Sequence, residues 1–208
     1  MGYILYGDRR SGSAMIELAL AEIGAEVELR PVSIDGDAQL AAEYRRINPM
    51  ARLPTLILPD GTVVTESTAI LLTLEARHPE AGLLPPGDDP DRAKSLRWMM
   101  LAASELYPCV TRYDYPDRFG AEPASIRDRA VEMSREIWRL IEAGAAPGPF
   151  VLGDRLSLAD LTLAVLSRWM GNEDWMPDHL PRIQALARAV ATRPRLAAAW
   201  ARHFEVPR

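Results

Sequence analysis

The chain of 208 residues is 48% hydrophobic and 25% charged, proportions that support a packed core without disulfide or metal staples. Its net charge of −5 offers no basic face for phosphate and weighs against nucleic acid as a partner. A single cysteine, Cys109, rules out a disulfide framework within the chain, the first residues carry no basic leader, and no apolar run approaches the roughly 18 residues of a spanning helix. The expectation is therefore a cytoplasmic protein without membrane contact.

Tyr3-Ile4-Leu5-Tyr6 reads as a short buried strand stopped by Gly7-Asp8. Residues 11–23 read as a helix closed by Gly24. Val27, Leu29 and Pro31 alternate with charged neighbours, the pattern of a second strand. Asp37 is placed to cap a helix over 38–47, which ends before Asn48-Pro49. Leu56-Ile57-Leu58 and Val63-Val64 flank the turn signal Pro59-Asp60-Gly61, a hairpin. Ser67 is placed to cap a helix to about Arg77. This β-α-β-α-β-β-α string defines an α/β domain over 1–80. Residues 81–90, rich in Pro, Gly and Asp, read as a linker. The remainder, 91–208, reads as all-α, with helices expected over 91–107, 124–143, 157–170, 181–192 and 194–203. The charge divides at the same place: residues 1–80 carry the whole net −5, and 81–208 sum to zero.

Three local patterns carry chemistry. Leu53-Pro54 opens the hairpin strand; a cis bond there would turn the Leu53 backbone outward to pair with a ligand's backbone, whereas a trans bond would make it an ordinary edge proline. Glu66-Ser67 sets an ammonium acceptor beside a helix N-terminus, whose N–H groups favour a carboxylate; together they suit the α-amino-acid end of a ligand, or serve simply as a solvated glutamate and a cap. Finally, Gly7-Asp8-Arg9-Arg10-Ser11-Gly12-Ser13 enters the first helix. A hydroxyl here can donate to a thiolate, with the helix N-terminus and the arginines lowering the thiol pKa, or both serines can be N-caps.

In this order and on this string of elements, the patterns resemble the cytosolic glutathione transferases over the whole chain. The carriers are Glu66-Ser67-Thr68-Ala69-Ile70, then Asn48-Pro49-Met50-Ala51-Arg52-Leu53-Pro54, then Leu156-Ser157-Leu158-Ala159-Asp160, whose Ser157 and Asp160 match the family's capping box. The resemblance implies a thioredoxin-like N-terminal domain, a helical C-terminal domain and a homodimer. Glutathione would be the co-substrate, and no metal is implied. Glu66 and Ser67 would hold its γ-glutamyl end. Leu53 at Pro54 would pair with the cysteinyl unit, and Arg52 would lie near the glycyl carboxylate. Arg10 would add positive potential, and Glu105 would reach the neighbouring subunit's glutathione. Ser11 matches the serine that theta-like and several bacterial classes use on the thiolate, with Ser13 and Tyr6 as alternates. Tyr107, Arg112, Tyr113 and Tyr115 would line the pocket of a small hydrophobic electrophile, or would merely pack under a loop. The chain departs from the family in three ways. Gly12 stands where cysteine-using classes have their cysteine, and the Ser-Ser-Cys signature of maleylacetoacetate isomerases is missing. The basic residue that many members carry in the first helix is also absent; the sequence there is Ala14-Met15-Ile16-Glu17. The implied activity is conjugation of glutathione, or a related substitution or peroxide reduction. The competing expectation is a non-catalytic regulatory protein on the same fold.

Overall fold

The computed structural model describes residues 2–205. The chain forms two compact units: one runs to Leu83 and resumes at Ala191, and the other is Leu84–Val190. The last helix belongs to the first unit, whereas the sequence assigns 91–208 to one helical domain; the final residues of that span lie outside those described.

The first unit is built on a four-stranded sheet in the order β2-β1-β3-β4. Strand β1 (Tyr3–Gly7) pairs in parallel with β2 (Val27–Pro31). The crossover that parallel neighbours require is helix α1 (Ser13–Ile23). Strands β3 (Thr55–Ile57) and β4 (Val63–Thr65) form the expected hairpin, and β3 runs antiparallel to β1. Helix α3 (Ser67–Arg77) packs on α1. Leu5 of β1, Leu56 of β3, Met15, Ile16 and Leu18 of α1, and Ile70, Leu71 and Leu74 of α3 make a dry core. Residues 11–20 are buried without a break, because helix α10 (Ala197–Phe204) covers α1 as well. Gly24 closes α1 at φ 79°, with its N–H on the carbonyls of Leu20 and Ala21, a conformation that glycine adopts without penalty.

The segment 38–47 departs from expectation. Asp37 stands at φ 53° and makes no cap bond, so the stretch breaks into a 3-10 turn, Ala38–Leu40, an extended Ala41, and a short α2 (Ala42–Ile47). An N-cap needs extended backbone, which Ala41 supplies and Asp37 does not. Ser67 is likewise the first residue of α3 rather than its cap; Glu66 holds that place. Leu29 is 43% exposed, since β2 is an edge strand and its apolar side has little to cover it.

In the second unit, Asp89 caps helix α4 (Pro90–Leu101) by accepting the Asp91 N–H at 2.8 Å. The single helix expected over 91–107 continues instead through a π turn, Ala102–Leu106, into α5 (Tyr107–Asp114). Pro108 has no N–H to give back to the preceding turn, and one wide turn absorbs the missing bond. Within Trp98-Met99-Met100 the first two side chains are buried, and only Met100, 54% exposed, faces outward. Helix α6 (Pro123–Gly144) and α7 (Leu158–Leu166) follow, the latter buried along its whole length. A short α8 (Asn172–His179), with Pro177 inside it, escapes sequence periodicity, while α9 (Pro181–Thr192) matches it. Pro194 lies in a turn ahead of α10 rather than at its first position. Among the described residues no helix is long and apolar enough to cross a membrane.

Asp160 organises the start of α7. One carboxylate oxygen accepts the Val151 N–H at 2.7 Å, and the other takes the Ser157 N–H and hydroxyl at 2.7 and 2.8 Å. Burial pushes its carboxyl up to about 6 despite these donors, above the ordinary value of 3.8. With the folded-state pKa raised, the group's linkage contribution is fully present below about pH 4 and is lost as pH rises through about 6. Asp160→Ala strands three buried donors and should cost about 3 kcal/mol of unfolding free energy. Denaturant titrations check both points: the wild-type protein should lose stability between about pH 4 and pH 6, and the variant should lack that slope.

Candidate functional site

The sheet register gathers the three patterns at one end. Thr55 pairs with Tyr6 on one side and with Thr65 on the other. One step beyond these pairs stand Gly7, Pro54 and Glu66, so loop 8–13, loop 48–54 and the N-terminus of α3 emerge side by side.

Loop 48–54 is pinned from beneath. The Arg52 carbonyl accepts from the Tyr44 hydroxyl at 2.7 Å and from Asn48 Nδ2 at 2.9 Å, and both groups also meet Thr55 Oγ1, at 2.7 and 3.1 Å. Tyr44, Asn48 and Thr55 are all buried, and burial raises the Tyr44 hydroxyl pKa further from neutrality, so it remains a donor. Asn48 Oδ1 turns back to the Met50 N–H at 3.1 Å, an Asx-type turn. The Leu53-Pro54 bond is cis. With the Arg52 carbonyl held inward, the Leu53 N–H and carbonyl make no bond among the described residues, and Arg52 itself is exposed.

Glu66 occupies φ 64°, ψ 115°. A non-glycine residue in that region costs on the order of 1–3 kcal/mol and persists where the surroundings impose it, most often at functional sites. Its carboxylate is exposed and takes no hydrogen bond or ion pair within the described chain. Ser67 sits half-buried beside it, at the open end of the 11-residue α3, where the helix dipole favours an anion.

In loop 8–13 both serines are buried. Ser11 Oγ lies 2.8 Å from Ser13 Oγ, and each hydroxyl is within bonding distance of the Asp8 carbonyl, at 2.8 and 3.0 Å. Ser11 Oγ also accepts the N–H groups of Asp8 and Ser13. Neither serine caps α1; Gly12 stands at that position. The Asp8 carboxylate accepts the Ile34 N–H at 2.7 Å and so ties the loop to the far end of β2. Gly7 is required here, since a Cβ would collide with the Ser13 side chain. Arg10 stands at φ 58°, and its N–H donates to His203 Nδ1 at 3.2 Å.

Tyr6, the third-ranked hydroxyl, turns away from this loop. Tyr3, of the same parity as Leu5, bonds His78 at the end of α3, so the alternate side chain Tyr6 faces the other side of the sheet. There it packs against Tyr44 at 5.8 Å and accepts from Arg30 Nη1 at 2.8 Å. It lines a cavity of about 330 Å³ with Val32, Tyr44 and Ile47.

The expected electrophile residues lie in the second unit, where each has a local partner. Tyr107 meets Trp169 edge-on at 5.5 Å. Arg127 lies over Tyr113, Arg118 over Tyr115 and Arg112 over Phe119. Glu105 is exposed on the π turn. Cys109 is 1% exposed and burial raises its thiol pKa, as suits a small hydrophobe rather than a nucleophile.

The sequence did not single out Tyr44, Thr55 or His203, and it gave no individual role to Asp8 or Asn48, which appear only within the loop and proline-segment motifs.

The family model described as "Glutathione S-transferase, N-terminal domain" matches residues 13–77, and "Glutathione S-transferase, C-terminal domain" matches 124–203. The chain belongs to the glutathione S-transferase family. It is 27% identical to the uncharacterized GST-like protein YncG of Escherichia coli K12, over 92% of this chain and 94% of that one. It is 32% identical to a maleylacetoacetate isomerase of Dictyostelium discoideum, over 77% and 75%. A glutathione transferase homologue from Sulfitobacter, solved with bound glutathione, superposes with a TM-score of 0.88 at 26% identity, covering 95% of this chain and 96% of that chain.

Asn48→Ala removes one of two donors from the Arg52 carbonyl and should cost about 1–3 kcal/mol. Hydrogen exchange should quicken in loop 49–54, with β1 amides little changed.

Proposed function

We propose that this protein binds glutathione at the end of the sheet, holds it as the thiolate, and transfers it to a small hydrophobic electrophile, or uses it in a related substitution or peroxide reduction. The observation that carries this reading is the juxtaposition of the unpaired Leu53 backbone with the strained, unpartnered Glu66. The Leu53 N–H and carbonyl suit the antiparallel backbone of a cysteinyl unit. Glu66 suits the γ-glutamyl ammonium, while Ser67 and the α3 N-terminus suit its carboxylate. Arg52 is exposed and suits the glycyl carboxylate. The family's glutathione-bound member supports the same ligand.

Ser11 is the thiolate donor in this scheme. Two hydroxyl protons serve the Asp8 carbonyl and the Ser11–Ser13 contact. With Ser13 donating to Asp8, Ser11 can swing its proton toward sulfur and leave no buried carbonyl unpaired. The thiolate gains further from the α1 N-terminus and the nearby arginines, and conjugation follows by proximity to the electrophile. Tyr6 faces the wrong way for this role. Transfer is favoured over the isomerisation named for one relative because Gly12 and Ser13 follow Ser11, with no cysteine among them. Tyr107, Arg112, Tyr113 and Tyr115 remain the proposed electrophile contacts, with Glu105 reaching across a homodimer.

Ser11→Ala should lower kcat roughly 100-fold, the order lost with one preorganised donor to a reacting anion, while glutathione affinity changes little. Ser13→Ala should cost less. Glu66→Ala with Ser67→Ala should abolish binding without unfolding the protein. Calorimetry and steady-state kinetics with a chromogenic electrophile check all three, and unchanged affinity in the double variant would remove the proposed site.

A further inference from the structure

We infer that His203 is a positioning residue for the thiolate loop, fixed by Glu17 and Arg202; this rests on the glutathione reading above. All the participants belong to the first unit. His203 is 4% exposed and Glu17 6%. The Arg10 N–H donates to His203 Nδ1 at 3.2 Å, so that nitrogen carries a lone pair. The other ring nitrogen, Nε2, lies 2.9 Å from Glu17 Oε2. Burial alone would raise the Glu17 pKa, but the bonds from His203 and Arg202 bring it below the ordinary value. Glu17 is therefore a carboxylate, which can only accept, and Nε2 carries the proton. Arg202 holds the other carboxylate oxygen through Nε at 2.7 Å and through Nη2. Both neighbours of the ring thus demand one tautomer, and that tautomer presents its lone pair to the loop.

The loop needs such a restraint. Arg10 stands at φ 58°, in a region that costs a non-glycine residue roughly 1–2 kcal/mol, and Ser11 follows it directly. The Arg10 guanidinium also lies 6.0 Å from the Phe204 ring on the same helix. Helix α10 therefore grips the residue before Ser11 by its backbone and by its side chain. Glu17 stands in the first helix and draws two α10 side chains, Arg202 and His203, toward it.

The test pairs His203→Ala, which loses both bonds, with His203→Asn, whose amide oxygen can replace the Nδ1 lone pair. His203→Ala should keep glutathione affinity within about threefold but lower kcat roughly 10- to 100-fold, the cost of misplacing a reacting group by about an ångström. The ultraviolet thiolate signal of the bound tripeptide should move to higher pH. His203→Asn should restore most of kcat together with hydrogen-exchange protection of the Arg10 amide. A His203→Ala protein with wild-type kcat and thiolate titration overturns the proposal. Should that variant fail to fold, the wild-type protein still decides it: nitrogen NMR should show His203 protonated at Nε2 and the Arg10 amide protected, and the opposite tautomer or a freely exchanging amide overturns it. If the wild-type protein does not bind glutathione, the functional reading fails and takes the catalytic part of this inference with it, and the tautomer and exchange results then report on the loop alone.

Discussion

Thr55 is paired on both sides, with Tyr6 of β1 and Thr65 of β4, and the arrangement of the site depends on that pairing. Side chains alternate along a strand, so a slip of one residue would turn the Thr55 hydroxyl out of the core. It would also separate the chain segments that leave the sheet at Gly7, Pro54 and Glu66. The register is held by more than ladder bonds. Thr55 Oγ1 is the common partner of Tyr44 and Asn48, so a hydroxyl inside the fold couples strand position to loop shape.

From this anchor the chemistry is a matter of which polar groups are satisfied internally and which are left over. The Arg52 carbonyl, the Asn48 amide and both serine hydroxyls find partners within the chain. The Leu53 backbone and the Glu66 carboxylate find none among the described residues. Burial demands partners, and exposed groups held in fixed geometry offer them to a ligand. A backbone donor–acceptor pair beside an anion and a helix N-terminus together match a short peptide with a free amino-acid end. Around Ser11 the balance is finer. The hydroxyl is stored in an internal network that keeps its partner satisfied when its proton turns outward, and α10 supplies the restraint on the residue before it.

Much of this was legible in the sequence, for identifiable reasons. The first strand, the hairpin, α6 and α9 follow from apolar periodicity and turn residues, and Gly24 from the left-handed backbone that its position requires. The convergence of Leu53-Pro54, Glu66-Ser67 and loop 8–13 is implied by the family resemblance and given its physical cause by the register. Long-range polar contacts were not legible. His203 lies 193 residues from Arg10, and no local pattern marks a histidine that serves a distant loop. The π turn before Pro108, the break at Ala41 and the placement of Glu66 rather than Ser67 at the head of α3 depend on backbone dihedral angles, which residue type biases only weakly. The aromatic residues 107–115 were legible as a cluster but not as a pocket, because stacking under arginines and lining a cleft draw on the same residue types.

The central claim is that the end of this sheet holds glutathione as a thiolate. Isothermal titration of glutathione into the wild-type protein, repeated in buffers of different ionisation enthalpy across the neutral range, addresses it most directly. Saturable binding accompanied by release of close to one proton per site near neutral pH is the result predicted here. Absence of binding at millimolar glutathione, or binding with no proton released, would contradict it.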